Sequence, residues 1–383
     1  MTGIRYLFLS TLALAIASPT AMAQDLSKPE NSVRIATFNA SLSRQEAGRL
    51  LKDLESGTDQ QIANVVATIQ AVQPDILLIN EFDFDPTGQA YTIFADKLST
   101  SGGSPAWPMG LVHAGPSNTG VPSGRDLDGD GEMGGPADAI GFGFFEGQYA
   151  MALFSRHSTA SDHLARTFQR FLWRDLPAPG LPDKEPGSGA GDFYDGDALA
   201  VLRLSSKSHW DIPVALPDGR VVHILASHPT PPVFDGPEDR NGRRNAAEIR
   251  FWSGYVQGGP GTSVLTDDAG TSGGLPLGAS FAILGDLNND PEKGDGDRSA
   301  MTGLISLSEV QDPAPASKVG GTDTADFRNG PLRVDYVLPS ADLTVVGSGV
   351  FWPEEGDPHF ELIGEDGQAT SDHRLVWVDI ALN

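Results

Sequence analysis

Eight polar, ligand-capable residues lie where apolar segments of the chain begin or end. They are Asn39, Glu81, His228, Asp286, Asn288, Asp335, Asp372 and His373. Any one of them alone could be a turn residue, a cap or a buried histidine, since Asp and Asn are common in turns. Carboxylates and amides are cation ligands, however, and imidazoles carry protons. Gathered at one edge of a buried sheet, the set predicts an active site.

The elements that would position these residues are short β-rich runs with a few helices between them. The runs are SVRIATFNAS, PDILLINEFD, QYAMALFSR, RVVHILASH, SFAILGDLN, RVDYVLPS and HRLVWVDIAL. Most are almost continuously apolar, which is typical of strands buried on both faces. Helical spacing of apolar residues at 62, 65, 66, 69 and 72, ended by Pro74, predicts one helix, and a second is expected from Arg243 to Val256. The pattern indicates an α/β sandwich and leaves its topology open.

The N-terminus has the features of a secretory signal peptide. Arg5 precedes an apolar run at 7–17 and an Ala-x-Ala end at Ala21–Ala23. This run is too short to span a bilayer, which takes about 20 residues. We therefore expect cleavage after Ala23, a periplasmic or secreted protein and no stable membrane anchor after cleavage. Residues 24–383 are expected to form a single domain with long loop insertions, and the protein to be a monomer.

The composition is strongly acidic and contains no cysteine. The 383 residues include 51 Asp and Glu against 26 Lys and Arg, for a net charge of −25. Such a charge repels polyanions and attracts divalent cations. Without cysteine, neither a disulfide framework nor a cysteine nucleophile is available.

Six ordered segments resemble the motifs of the endonuclease/exonuclease/phosphatase superfamily, which includes deoxyribonuclease I, abasic-site endonucleases, neutral sphingomyelinases and inositol polyphosphate 5-phosphatases. The segments are ATFNAS, INEFD, ASHPTPP, GDLNNDP, RVDYVLPS and TSDHRLVWVDI. The resemblance runs from about Val33 to the C-terminus. It implies a deoxyribonuclease I-like four-layer α/β sandwich, with two packed mixed β-sheets flanked by helices.

The resemblance also implies a catalytic cation. Glu81 would be the principal ligand of Mg²⁺, or of Mn²⁺ or Ca²⁺ in its place. Asn39 and Asp372 would help to hold the ion or its waters. Oxygen ligands suit a hard cation of this kind.

The remaining motif residues would act on a phosphoester and a water. Asp286 would orient or deprotonate the water, and Asn288 would hydrogen-bond the phosphoryl oxygens. His228 and His373 would flank the scissile phosphate, with Asp335 holding His373 in the required tautomer. The implied activity is metal-dependent hydrolysis of phosphodiester or phosphomonoester bonds by direct attack of an activated water.

Two departures from the motifs bear on the substrate. Ser41 and His228 stand where abasic-site endonucleases carry Asp and Tyr, so a role in abasic-site repair is disfavoured. A small phosphoester is the preferred substrate. An extracellular nuclease is the alternative, although the acidic balance disfavours tight binding of nucleic acid. A phospholipid phosphodiesterase and a binding module without turnover are weaker alternatives.

Three further segments allow two interpretations each. Asp126, Asp128 and Asp130 resemble the first half of an EF-hand loop, but Ala137 occupies the twelfth position; a structural calcium site in the loop and a solvated acidic turn stay open. Arg240 and Arg244 could bind substrate phosphate or form ordinary ion pairs. The segment FQRFLWRDLP is expected to pack in the core rather than to form an exposed aromatic edge for lipid.

Overall fold

The computed structural model describes residues 23–100 and 110–383. The predicted signal peptide lies outside these residues, apart from Ala23, and stays a prediction. In the described ranges, no helix is both long enough and apolar enough to cross a bilayer.

Strands and helices are interspersed along the described chain. The first part contains β1 (Ser32–Leu42), α1 (Arg49–Ser56), α2 (Gln60–Val72), β2 (Ile76–Phe82), α3 (Gln89–Thr100), β3 (Leu111–Ala114), β4 (Met151–Ser155), β5 (Arg166–Thr167) and α4 (Gly196–Leu199). The second part contains β6 (His209–Ala215), β7 (Val221–Ser227), α5 (Arg240–Gln257), β8 (Ser280–Asp286), α6 (Arg298–Ile305), β9 (Ala325–Phe327), β10 (Gly330–Leu332), β11 (Asp335–Pro339), β12 (Val345–Val350), α7 (Phe360–Ile363) and β13 (Val376–Ala381).

The strands form two large mixed sheets. The first has the order β12-β13-β1-β2-β4-β3 and the second the order β11-β8-β7-β6-β5, while β9 and β10 make a separate hairpin. Each large sheet contains one parallel pair, β1 with β2 and β7 with β8. The other pairings are antiparallel.

Three apolar clusters show how the layers pack. One lies between the two sheets and includes Ile35, Leu78, Ile224 and Val378. The second joins the outer face of the first sheet to α1, α2 and α3, and the third joins the second sheet to α5 and α6. Both faces of the central strands are therefore covered, which accounts for their continuous apolar runs. The predicted four-layer α/β sandwich is confirmed.

Both predicted helices are present. In α2, the Asp59 side chain accepts a hydrogen bond from the Ile62 amide at 2.9 Å, and this cap fixes the helix start. Helix α5 begins at Arg240, three residues before the predicted start, and extends to Gln257. Phe168 and Trp173 are buried in the cluster around α5, as the core interpretation of FQRFLWRDLP predicted.

Candidate active site

The two parallel strand pairs bring four predicted residues to one edge of the sandwich. Asn39 and Glu81 lie near the carboxyl ends of β1 and β2, while Asp286 ends β8 and His228 follows β7. Asn39 Nδ2 donates to Glu81 Oε1 at 3.2 Å within its own sheet and to Asp286 Oδ2 at 3.0 Å across the sandwich. The carboxyl ends of both parallel pairs therefore meet at Asn39.

Two strand starts complete this edge. Asp335 begins β11, which is antiparallel to β8, and it pairs in register with Asp286. His373 precedes β13, which is antiparallel to β1. An antiparallel strand begins beside the end of its neighbour, so the sequence positions 286, 335 and 373 converge although they are far apart in the chain.

Asp286 lies between two imidazoles. Its Oδ2 is 3.4 Å from His228 Nε2 and 3.7 Å from His373 Nε2. Its Oδ1 accepts the main-chain N–H of Asn288 at 2.9 Å. Asp286 is only 1% exposed, so these neighbours, together with Asn39, fix the direction of both carboxylate oxygens.

Asp335 orients His373. Its Oδ2 lies 2.9 Å from His373 Nδ1, and Thr324 Oγ1 donates to the same carboxylate oxygen at 2.8 Å. The contact occupies Nδ1 and leaves Nε2 directed toward Asp286. This is the geometry by which a carboxylate selects the tautomer of a working imidazole.

Burial and neighbouring charges set the protonation of this cluster. Burial by itself would raise the pKa of Asp286, but His373 and His228 outweigh it, and the pKa is lowered. Burial would lower the pKa of His373, but Asp335 and Asp286 outweigh it, and the pKa is raised. Burial and the positive charge of Lys207 lower the pKa of His228. At neutral pH an anionic carboxylate therefore lies between one cationic and one neutral imidazole.

Glu81 and Asp372, which are predicted to hold a cation together with Asn39, are half-buried. Glu81 accepts from Ser43 Oγ at 3.2 Å, and Asp372 Oδ1 lies 3.4 Å from Ser41 Oγ. Glu81 also has a left-handed backbone with φ of 59°. This conformation costs a non-glycine residue about 1–3 kcal/mol and is concentrated at functional sites.

Asn288 is adjacent to the cluster but partly engaged elsewhere. Its backbone is left-handed, with φ of 52°, and its Nδ2 donates to Pro229 O at 3.1 Å. That carbonyl belongs to the residue after His228. The contact joins the loop after β7 to the loop after β8.

The two arginines predicted to bind substrate do not join the cluster. The Arg244 guanidinium is buried and donates to the main-chain carbonyls of Leu204, Ile140, Arg203 and Ser205. Arg240 forms an ion pair with Glu238 at the start of α5. The contacts of Arg244 make it a packing residue, because four carbonyls from two loops already occupy its N–H groups.

The acidic loop is separate from this site. Ligand atoms of Asp126, Asp128 and Asp130 lie within 4.8 Å of one another, and the loop is largely exposed. The Asp126 carboxylate accepts the amides of Gly129 and Gly131 at 2.7 and 2.9 Å. These contacts are those of an ordinary acidic turn, and the calcium site stays a prediction.

Sequence reasoning missed three buried polar residues beside the site. Lys207 lies two residues before the start of β6, and Asn245 and Glu248 lie on the inner face of α5. No sequence signal marks Lys207, because only the antiparallel pairing of β6 with β7 brings it beside His228. No signal marks Asn245 and Glu248 either, since their spacing fits an ordinary helix face.

Comparisons with known proteins identify the family of the chain. The model of the Endonuclease/Exonuclease/phosphatase family matches residues 36–373. No curated protein sequence matches the chain. Among solved structures, the endonuclease/exonuclease/phosphatase from Beutenbergia cavernae DSM 12333 is 16% identical over 92% of this chain and 72% of its own, with a TM-score of 0.52.

Two other solved structures match a similar share of this chain. The family protein from Leptotrichia buccalis C-1013-b is 15% identical over 91% of this chain and 99% of its own, with a TM-score of 0.48. The human Nocturnin catalytic domain with bound sulfate is 14% identical over 92% of this chain and 93% of its own, with a TM-score of 0.47. The family match spans most of the chain, and the chain therefore belongs to the endonuclease/exonuclease/phosphatase family, whose members are generally phosphoester hydrolases.

Proposed function

We propose that this protein is an exported, divalent-metal-dependent phosphoesterase that hydrolyses phosphodiester or phosphomonoester bonds by direct attack of an activated water. The observation that carries the proposal is the Asp286 carboxylate, kept ionised between the imidazoles of His228 and His373. An ionised carboxylate held in a fixed direction can orient a water and accept its proton, and a buried imidazolium can stabilise a leaving oxygen.

The residues proposed to hold the cation are Glu81, Asn39 and Asp372. Their oxygen donors suit Mg²⁺, and equally Mn²⁺ or Ca²⁺. Asn39 connects the set. Its side-chain Nδ2 donates to Glu81, and its main-chain carbonyl accepts a hydrogen bond from Oγ of Ser371, the neighbour of Asp372, at 2.8 Å. The residues therefore fit a hard cation. When bound, the ion supplies a Lewis acid for the phosphoryl oxygen.

Each residue of the cluster has a distinct part in the proposed reaction. Asp286 orients the attacking water and accepts its proton, because its carboxylate is ionised and held by several donors. His373 faces the same space through Nε2 and can donate a proton to the leaving oxygen. Asp335 keeps His373 protonated and aligned. Asn288 provides an N–H group for a phosphoryl oxygen, and His228 flanks the scissile phosphate beside Asp286.

A substrate panel tests the proposal. Purified protein would be assayed with bis(p-nitrophenyl) phosphate, p-nitrophenyl phosphate, plasmid DNA and phosphatidylcholine vesicles, each with Mg²⁺, Mn²⁺ or Ca²⁺ and with EDTA as control. We expect hydrolysis of a small diester or monoester that stops in EDTA and in Glu81→Ala. The absence of hydrolysis in every arm, or full activity in both Glu81→Ala and His228→Ala, would overturn it.

The same panel separates the substrate classes. Hydrolysis of small phosphoesters without plasmid nicking supports the preferred substrate, which suits the acidic chain. Efficient nicking at low enzyme concentration would instead identify a nuclease. Release of phosphocholine from vesicles would identify a phospholipid phosphodiesterase.

Export is part of the proposal and is supported by the sequence before Gln24. The full chain would be expressed in a Gram-negative host and recovered from the periplasm or medium for N-terminal sequencing. We expect the mature protein to begin at Gln24. Recovery of an intact N-terminus from the cytoplasm alone would contradict export.

A further inference from the structure

Lys207 is a buried cation that the mechanism above does not use. It is 6% exposed, and its Nζ makes one hydrogen bond, to Pro229 O at 3.4 Å. An ammonium group carries three donors. In the described part of the chain, no carboxylate lies within ion-pair distance of it, so two donors are left without a protein partner.

The position of Lys207 places it beside the reacting groups. It lies two residues before β6, whose first residue, His209, pairs with Ser227, the last residue of β7. His228 directly follows Ser227. Pro229 O, the acceptor for Lys207, also accepts Asn288 Nδ2 at 3.1 Å. Lys207 and Asn288 therefore meet at one main-chain carbonyl, that of the residue after His228.

The nearby buried carboxylate of Glu248 is not the ion-pair partner of Lys207. Glu248 already accepts the Ser206 amide at 2.7 Å, the Ser206 hydroxyl at 3.3 Å and the Thr230 amide at 2.7 Å. Burial lowers the pKa of Lys207, and Glu248 and Asp286 oppose that shift without forming an ion pair. A buried ammonium without a paired anion is costly, which points to an anion that the protein alone does not supply.

We propose that Lys207 binds the non-bridging oxygens of the substrate's phosphoryl group, as the cationic member of a subsite that it shares with His228 and Asn288. This inference rests on the proposed function and deepens it. Charge-assisted hydrogen bonds from an ammonium to a phosphoryl oxygen are short and strong, and they tighten as negative charge develops. The arginines predicted for this role are occupied elsewhere, and Lys207 takes their place.

Helix α5 holds the subsite together from behind. Glu248 bonds the main-chain amides of Ser206 and Thr230, which adjoin Lys207 and the His228 loop. Asn245 Nδ2 donates to the carbonyls of Thr230 and Leu287, each at 2.9 Å. Both side chains act as positioning residues, since they touch the backbones of the loops and not the reacting groups.

The test compares Lys207→Met, which removes the charge at similar length, with Lys207→Arg, which keeps it. Lys318→Met is the matched control, because it removes the same charge at an exposed site. The measurements are kcat/KM with bis(p-nitrophenyl) phosphate, the inhibition constant of inorganic phosphate, and the melting temperature. We expect Lys207→Met to lower kcat/KM about 100-fold and to weaken phosphate inhibition about 10-fold, in the range of a lost charged contact. Lys207→Arg should recover part of both effects, and Lys318→Met should match the wild type.

Each outcome decides between the two proposals. If the wild type hydrolyses no phosphoester, the proposed function fails. If the wild type is active and Lys207→Met matches it in rate and in phosphate inhibition, only the role of Lys207 fails. Should Lys207→Met not fold, a crystal structure of the wild type with Mg²⁺ and inorganic phosphate decides: Lys207 Nζ within about 3.2 Å of a phosphate oxygen supports the subsite. A bound phosphate with Nζ directed away from it would overturn the inference.

Discussion

His209 and His373 are both buried imidazoles, but they have partners of opposite character. His209 lies in the second sheet with neutral partners, Ser205 Oγ at 3.0 Å from Nδ1 and the Glu248 carbonyl at 3.1 Å from Nε2. Burial lowers its pKa to about 4. His373 faces the carboxylate of Asp335, which with Asp286 raises its pKa despite equal burial. For these two equally buried imidazoles, the charge of the partner therefore decides whether the ring is neutral or cationic at neutral pH.

The largest expected effect comes from removing the charged partner of His373. Asp335→Asn should lower kcat for phosphoester hydrolysis by about 10²- to 10⁴-fold, because the imidazole loses both its orientation and its proton. The measurement is steady-state kinetics with bis(p-nitrophenyl) phosphate and Mg²⁺.

A second buried Asp–His pair provides a matched control. Asp211 Oδ1 lies 2.6 Å from His223 Nδ1, outside the cluster. Asp211→Asn should lower stability but leave the kcat of the folded enzyme unchanged. If the two variants lose kcat equally, the distinction drawn between site and structural pairs is wrong.

The neutral histidine predicts a pH dependence of stability. Because the pKa of His209 is about 4 in the folded state against the ordinary histidine value of 6.5, its contribution is fully present above pH 6.5 and is lost as pH falls toward 4. The loss amounts to about 3 kcal/mol at pH 4, at 1.36 kcal/mol per pKa unit. The free energy of unfolding, measured in urea at several pH values from 6.5 to 4, should fall less steeply with decreasing pH for His209→Gln than for the wild type. An equal pH dependence in both proteins would show that His209 does not resist protonation.

Arg244 extends the same comparison to a cation with neutral partners. Arg244→Lys should destabilise the fold by about 2 kcal/mol, since lysine cannot satisfy all four carbonyls in that geometry. KM should change less than about twofold if Arg244 has no contact with substrate. Thermal unfolding and Michaelis kinetics provide the two measurements. A large rise in KM at unchanged stability would restore the substrate-binding interpretation.

The smallest effect is expected at the exposed acidic loop. In EDTA, Asp130→Asn should change the free energy of unfolding by less than about 0.5 kcal/mol, because this side chain is exposed. If the loop binds calcium, added Ca²⁺ should raise the melting temperature of the wild type, and it should raise that of the variant by a smaller amount. Identical melting curves with Ca²⁺ and with EDTA would remove the calcium prediction.

The sequence predicted the fold and the site unequally. Apolar runs identified seven of the strands, namely β1, β2, β4, β7, β8, β11 and β13, and helical spacing identified α2, because local patterning reports burial directly. The strands β6 and β12 were not predicted. The ordered motifs led to the residues that meet at the strand ends, since Asn39, Glu81 and Asp286 are adjacent to those ends. Their roles in hydrolysis stay predictions.

What escaped prediction depends on tertiary packing. An Arg-rich segment before an apolar helix favours phosphate binding, yet the turn of α5 directs Arg244 inward onto carbonyls. Lys207 lies in the unremarkable segment LSSKSHW, and only the pairing of β6 with β7 brings it beside His228. Which side of a helix faces a loop is not encoded in local spacing.

The central claim is that the ionised Asp286 carboxylate activates water for phosphoester hydrolysis. The direct measurement is kcat for bis(p-nitrophenyl) phosphate in Asp286→Asn against the wild type, with Mg²⁺ saturating and folding checked by melting temperature. Asparagine keeps the shape but cannot accept a proton, so kcat should fall at least about 100-fold in a folded variant. A folded Asp286→Asn with wild-type kcat would contradict the account.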